Sequence, residues 1–200
     1  MNARRTILGL SMTVATLLLA SCDSKHPLSD AAKAKADARL IGAWRLQDDQ
    51  GDVQFCHIGQ DEHLARNVYR AIWIGQKADK SLSRPLECIV FPTTIKDNTY
   101  LNVGLFDMAR LAKADNVGFT SEQIETYLLF QYEIQGDTVL LRSLNPEAVK
   151  KAIETGKVKG TIPKMGNATF TDTPEHLAAL VADNSATLFP KVTARYQRVK

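Results

Sequence analysis

The run Leu128-Leu129-Phe130-Gln131-Tyr132-Glu133-Ile134 constrains the fold more than any other stretch of the chain. Leu128, Phe130, Tyr132 and Ile134 share one face of an extended strand, while Gln131 and Glu133 point the other way. Gln135-Gly136-Asp137 then reads as a turn, with Gly136 free to take positive φ, and Val139 and Leu141 continue the apolar face on a return strand. A hairpin with one apolar face commits the chain to a sheet that must cover that face.

Similar stretches recur along the chain. Residues 41–46, 53–58, 68–74, 87–91, 99–105, 168–171 and 192–199 are rich in β-branched and aromatic residues or alternate in polarity. Asp48 to Asp52 and Lys96-Asp97-Asn98 read as turns, and Pro92 as a strand stop. Two helices are marked by their caps. Asn145-Pro146-Glu147 opens one, with Ala148, Val149, Ala152 and Ile153 as its apolar stripe and Gly156 as its end. Thr173-Pro174-Glu175 opens the other, with Leu177, Ala178, Leu180 and Val181 inward and Asn184 closing it. Met108, Leu111 and Ala112 give residues 107–115 helical spacing as a third. The fold class expected is mainly β (α+β), an antiparallel sheet curled or closed into a barrel with two or three short helices. Strands that follow one another without regular intervening helices argue against a parallel doubly wound sheet.

The N-terminus sets the address. Met1-Asn2-Ala3-Arg4-Arg5 is basic, an apolar stretch runs to Leu19, and small residues precede Cys22, which is the pattern of a secretory signal peptide over residues 1–21. The apolar stretch is shorter than the ~20 residues that span a bilayer. Arg4-Arg5 hints at twin-arginine export, but any signal peptide needs such a start, so general secretion is preferred.

Leu19-Ala20-Ser21-Cys22 resembles the lipobox of bacterial lipoproteins. That resemblance implies cleavage before Cys22, a diacylglycerol on its thiol and an acyl chain on the new amine, with no other cofactor. It also implies a cell-envelope protein anchored to a membrane and facing the periplasm. Acyl chains bind lipid at ~0.8 kcal/mol per buried methylene, so two or three anchor stably. Asp23 resembles an inner-membrane retention signal and tilts the choice that way. Residues 22–37 then read as the lipidated N-terminus and a polar tether, because Ser29 to Asp37 carries no large apolar side chain. Residues 38–200 form the folded domain.

Charge excludes one class of partner. The chain has 25 Lys and Arg against 22 Asp and Glu, and no basic run is interleaved with aromatics, so nucleic acid is not expected. Cys56 and Cys88 are a candidate disulfide in a compartment that permits one. It would close a loop of about thirty residues and contribute roughly 3–4 kcal/mol. The alternative is two buried thiols.

Gly42-Ala43-Trp44 resembles the G-x-W motif of lipocalin-like barrels. In that family the Trp plugs one end of the barrel and an Arg of the last strand packs over it, which implies Arg195 or Arg198 here. The chain departs from the family in having no evident T-D-Y turn motif and in carrying helices late. Its C-terminal third resembles a group of uncharacterised bacterial lipoproteins through Tyr132-Glu133-Ile134-Gln135-Gly136-Asp137-Thr138 and Lys157-Val158-Lys159-Gly160.

Catalytic and metal signatures are weak. Cys56-His57 with His63 has no zinc spacing, and His57 would point opposite Cys56 on a strand. His176 reads as a helix-surface residue. Asp48, Asp49, Asp52, Asp61 and Glu62 lack the EF-hand pattern and read as a solvated turn. No nucleophile elbow or phosphate loop is present. Neither catalytic residues nor metal ligands are therefore expected, and the chain is not expected to be an enzyme. Trp44, Tyr69, Trp73, Phe91, Phe130 and Tyr132 line either a ligand cavity or a plain core. The expected role is an anchored envelope lipoprotein that binds a small apolar or lipidic ligand. The alternative is a structural or assembly lipoprotein that docks another envelope protein.

Overall fold

A computed structural model describes residues 22–106 and 124–200. Its strands are β1 (Asp23–Ser24), β2 (Gly42–Gln47), β3 (Val53–Gln60), β4 (Tyr69–Gln76), β5 (Leu86–Ile95), β6 (Asn98–Phe106), β7 (Ile124–Gln135) and β8 (Thr138–Ser143). Helix α1 (Pro146–Glu154), β9 (Gly160–Thr161), β10 (Thr169–Phe170), helix α2 (Pro174–Leu188) and β11 (Ala194–Arg198) follow. The expected helix over 107–115 lies outside the described residues.

Strands β2 to β8 pair antiparallel in sequence order, including β6 with β7 across the undescribed connection. β11 returns after the helices and inserts between β8 and β2. Among the described residues the result is a closed, eight-stranded antiparallel barrel with two α-helices, in agreement with the strand pattern. Alternation explains its two cores. Leu128, Phe130 and Tyr132 point inward with Trp44, Cys56, Trp73, Val90, Leu101 and Tyr196. Leu129 and Tyr127 point outward with Ile89, Phe91 and Tyr100, and the helices cover them with Val149, Leu177, Leu180 and Val181. Long apolar runs in β5 to β7 therefore serve both faces, which is why they alternate poorly.

The caps behave as the sequence implies. Asn145 Oδ1 accepts from the Glu147 amide, and Pro146 and Pro174 occupy the first turns. Asp172, nearly buried beside the second cap, ties three segments together. It accepts from the amides of Lys159 and Thr173 at 2.9 Å each and lies 3.0 Å from His176 Nδ1.

Three expectations are corrected. Pro92 does not stop its strand, because β5 continues to Ile95 paired with β6, and β4 begins only at Tyr69, opposite Val90, so it does not reach Pro92. One flank of Pro92 thus has no ladder to interrupt. Asn184 does not end α2; it takes φ −128° and kinks the helix, which runs on to Leu188. The supposed tether over residues 22–37 is part of the domain. β1 adds to the edge of β7 where β8 has turned away, Leu28 is 2% exposed, and its amide donates to Asn102 Oδ1 at 2.7 Å. Asn67 Nδ2 donates to the carbonyl of Ala34 at 3.0 Å and to that of Ala31. These contacts are tertiary, so a composition poor in apolar residues gave no sign of them.

Candidate functional site

One end of the barrel is closed by a plug built from three chain segments. The short turn Ala38–Leu40 crosses the opening and drops Leu40 into the interior. Trp44, on the next strand, is 2% exposed, and its indole N–H donates to the Leu40 carbonyl at 2.8 Å. Arg198 arrives from β11, opposite Trp44, with its guanidinium 4.1 Å from the ring centroid. The same guanidinium donates to the carbonyls of Ile41 at 2.8 Å and Arg39 at 2.6 Å. Gly42 has φ +141°, and a Cβ there would collide with Arg198. The Gly of G-x-W is thus needed for both backbone shape and guanidinium clearance. Below this layer Tyr132 donates its hydroxyl to Asp37 Oδ2 at 3.0 Å, and Asp37 pairs with Arg39 at 2.8 Å. Burial pushes the Tyr132 phenol upward, and the facing Asp37 carboxylate adds to it.

Of the two arginines implied by the lipocalin resemblance, Arg198 is the one over Trp44. Arg195 lies opposite Leu140 and faces solvent. Tyr196 faces inward between them, so strict alternation puts 196 and 198 on one face and 195 on the other. That parity was the available signal.

Among the described residues, side chains crowd the barrel interior. One void of about 20 Å³ lies among Leu40, Trp44, Cys56, Ile58, Trp73, Leu101, Val139, Leu141 and Tyr196. A second of about 20 Å³ lies towards the other end, beside Gln54, Phe130 and Ser143. Each suits a single water by volume. The buried hydroxyl of Tyr196 donates to Gln54 Oε1. Burial pushes that phenol well above its ordinary value, and the neighbouring Cys56 pushes the same way. Phe91 is not an interior residue; it lies outside the sheet, edge-on to Tyr127 at 6.3 Å.

The candidate disulfide is not formed. Cys56 sits opposite Trp73 and Cys88 opposite Ala71, so all of β4 stands between them. Two strand spacings of about 4.8 Å each exceed the ~7 Å that a disulfide allows between Cα atoms. Both thiols are buried and raised by desolvation, as expected of thiols that pack as small hydrophobes.

Cys22 lies in the outer core, 0% exposed, with its thiol near the Ala168 backbone. Burial raises that thiol to about 11, against the lowering effect of the Ala168 hydrogen bond. His57 and His63 are exposed, and His57 does point opposite Cys56. Among the described residues no three His, Cys, Asp or Glu side chains converge as a metal site. Asp48 and Asp52 form a self-bonded turn, in which Asp48 accepts from the amides of Gln50 and Asp52. Asp61 instead pairs with Arg70 at 2.6 Å. No helix among the described residues is long and apolar enough to cross a membrane.

On the outside, α2 and the adjoining strands leave an open polar groove of about 450 Å³, walled by Asn98, Gln131, Glu133, Arg142 and Ser185. On the opposite wall, β3 and β4 turn Phe55, Ile72 and Ile74 outward in adjoining rows, and Phe55 and Ile72 are exposed. No family model, curated protein or solved structure matches the chain.

Proposed function

We propose that this chain is an envelope lipoprotein, anchored through Cys22, whose barrel is a solid docking body for another envelope protein. The observation that carries the reading is the crowding of the interior among the described residues: aromatic rings from β2, β4, β7 and β11 meet around voids of about 20 Å³. A drug-sized ligand needs roughly 300 Å³ or more. The lipobox supports the anchor, and the outward Phe55, Ile72 and Ile74 supply a place for a partner. An exposed apolar patch on a sheet wall is a common mark of a protein contact.

A carried apolar ligand is the second reading. In its favour, the void beneath Trp44 is walled by apolar side chains, apart from the Tyr196 hydroxyl. It requires Trp73 or Tyr196 to swing aside.

Mass spectrometry of the mature lipidated protein, native and then denaturing, separates the two. Docking predicts a mass equal to polypeptide plus covalent lipid in both conditions, with one reproducible protein crosslink in intact membranes. An added mass that vanishes on denaturation sinks the docking reading and installs the carrier.

A further inference from the structure

The strand register places an exposed loop beside the residue that carries the lipid. β1 runs parallel to β10, with Asp23 opposite Thr169 and Ser24 opposite Phe170. Stepping back one residue on each strand sets Cys22 beside Ala168. Because the pairing is parallel, the N-terminal ends of β1 and β10 lie on the same side of the sheet. β9 is antiparallel to β10, with Thr161 opposite Thr169, so the loop 162–168 is the connection that projects on this side.

The loop has the wrong surface for water alone. Met165 is 89% exposed and Ile162 is 40% exposed, with Pro163 and Lys164 between them also exposed. Met165 is the most exposed of the large apolar residues described, and it lies in the loop that the register sets beside Cys22. Gly166 has φ +99°, a backbone shape that favours glycine at the turn after Met165. Flexible apolar side chains next to one lysine match the boundary between acyl chains and anionic headgroups.

We propose that the loop from Ile162 to Gly166 inserts into the bilayer interface beside the Cys22 lipid and gives the anchored domain a fixed orientation. The occupant of this surface is a phospholipid bilayer. Ile162 and Met165 enter the acyl boundary while Lys164 stays with the headgroups. The inference rests on the lipid anchor and adds a second point of contact. Residues 22–37 are folded onto the barrel, so no tether separates the domain from that contact.

The test places a single label. Cys56 and Cys88 are buried with raised thiol values, so a new surface cysteine in the lipidated protein reacts selectively. Met165→Cys is labelled with an environment-sensitive fluorophore and reconstituted in vesicles of phosphatidylcholine and phosphatidylglycerol that contain acyl-chain spin-labelled lipid. Leu82→Cys, 68% exposed on the β4–β5 connection, is the reference site. The expected result is at least threefold stronger quenching at 165 than at 82, together with a blue shift, both lost when Ile162→Ser is added. Equal weak quenching at both sites, in protein that floats with the vesicles and carries diacylglycerol on its N-terminal peptide, overturns the loop alone. Absence of that lipid mass overturns the anchor and the loop together.

Discussion

Holding a guanidinium 4.1 Å from the centre of the Trp44 ring requires a neighbouring position with no side chain, and Gly42 provides it. The pair binds the first barrel strand to the last and covers a ring with almost no exposure. Trp44→Ala should cost roughly 3–5 kcal/mol in denaturant unfolding; a cost below about 1 kcal/mol would mean that the ring is not core. Arg198→Lys should destabilise nearly as much as Arg198→Ala, because an ammonium cannot fork to two carbonyls while stacked on an indole. Full retention of stability in the lysine variant would show that charge alone matters there. A different residue sets the acid behaviour. The Lys159 amide, with help from Thr173 and His176, holds the Asp172 carboxyl below its ordinary value of 3.8. Its contribution is therefore present above the ordinary carboxylate range and disappears as pH falls through the lower folded-state value. Asp172→Asn should lower the denaturation midpoint at pH 7, and the gap from wild type should narrow below pH 4. A gap that does not change with pH would exclude the carboxylate as its source.

The elements differ in how openly the sequence declares them. The β7–β8 hairpin and both helix starts could be read directly, since a two-residue period, a turn glycine and the Asn-Pro-Glu and Thr-Pro-Glu caps act over a few residues. Arg198 was half legible, as one of two arginines that alternation separates. The N-terminal segment was hidden, because β1 is two residues long and depends on an edge of β7 more than a hundred residues away. The same reason hid the place of Cys88 relative to Cys56, since pairing partners are a property of the assembled sheet. Leu28→Ala tests the corrected segment: a core leucine should cost about 2–5 kcal/mol, whereas a leucine in a tether would cost almost nothing. Gly160 belongs to the same corner. A Cβ there would meet Ile153 and come within 2.7 Å of the Thr169 carbonyl oxygen. Gly160→Ala should therefore lower stability by about 1–3 kcal/mol by prising β9 from α1. An unchanged unfolding midpoint would count against that packing.

Taken whole, the molecule divides its outer surface. Helices and the N-terminal segment cover β5 to β7, while the β3–β4 wall stays open with Phe55 and Ile72 outward. Phe55→Glu should leave the unfolding free energy within about 0.5 kcal/mol, as surface changes do, yet remove the crosslink to a docked partner. Persistence of the crosslink would move the contact elsewhere. Closure carries a further consequence. The barrel's last strand in sequence order is Ala194–Arg198, and it supplies the joint between β8 and β2. Until that strand is added, β8 and β2 keep open edges and Trp44 lacks the Arg198 guanidinium that covers it. The seven strands that precede it cannot close the ring, so the barrel forms only after Ala194–Arg198 has been made. The position of one strand thus makes closure a late step of folding, placed after both helices in the order of synthesis.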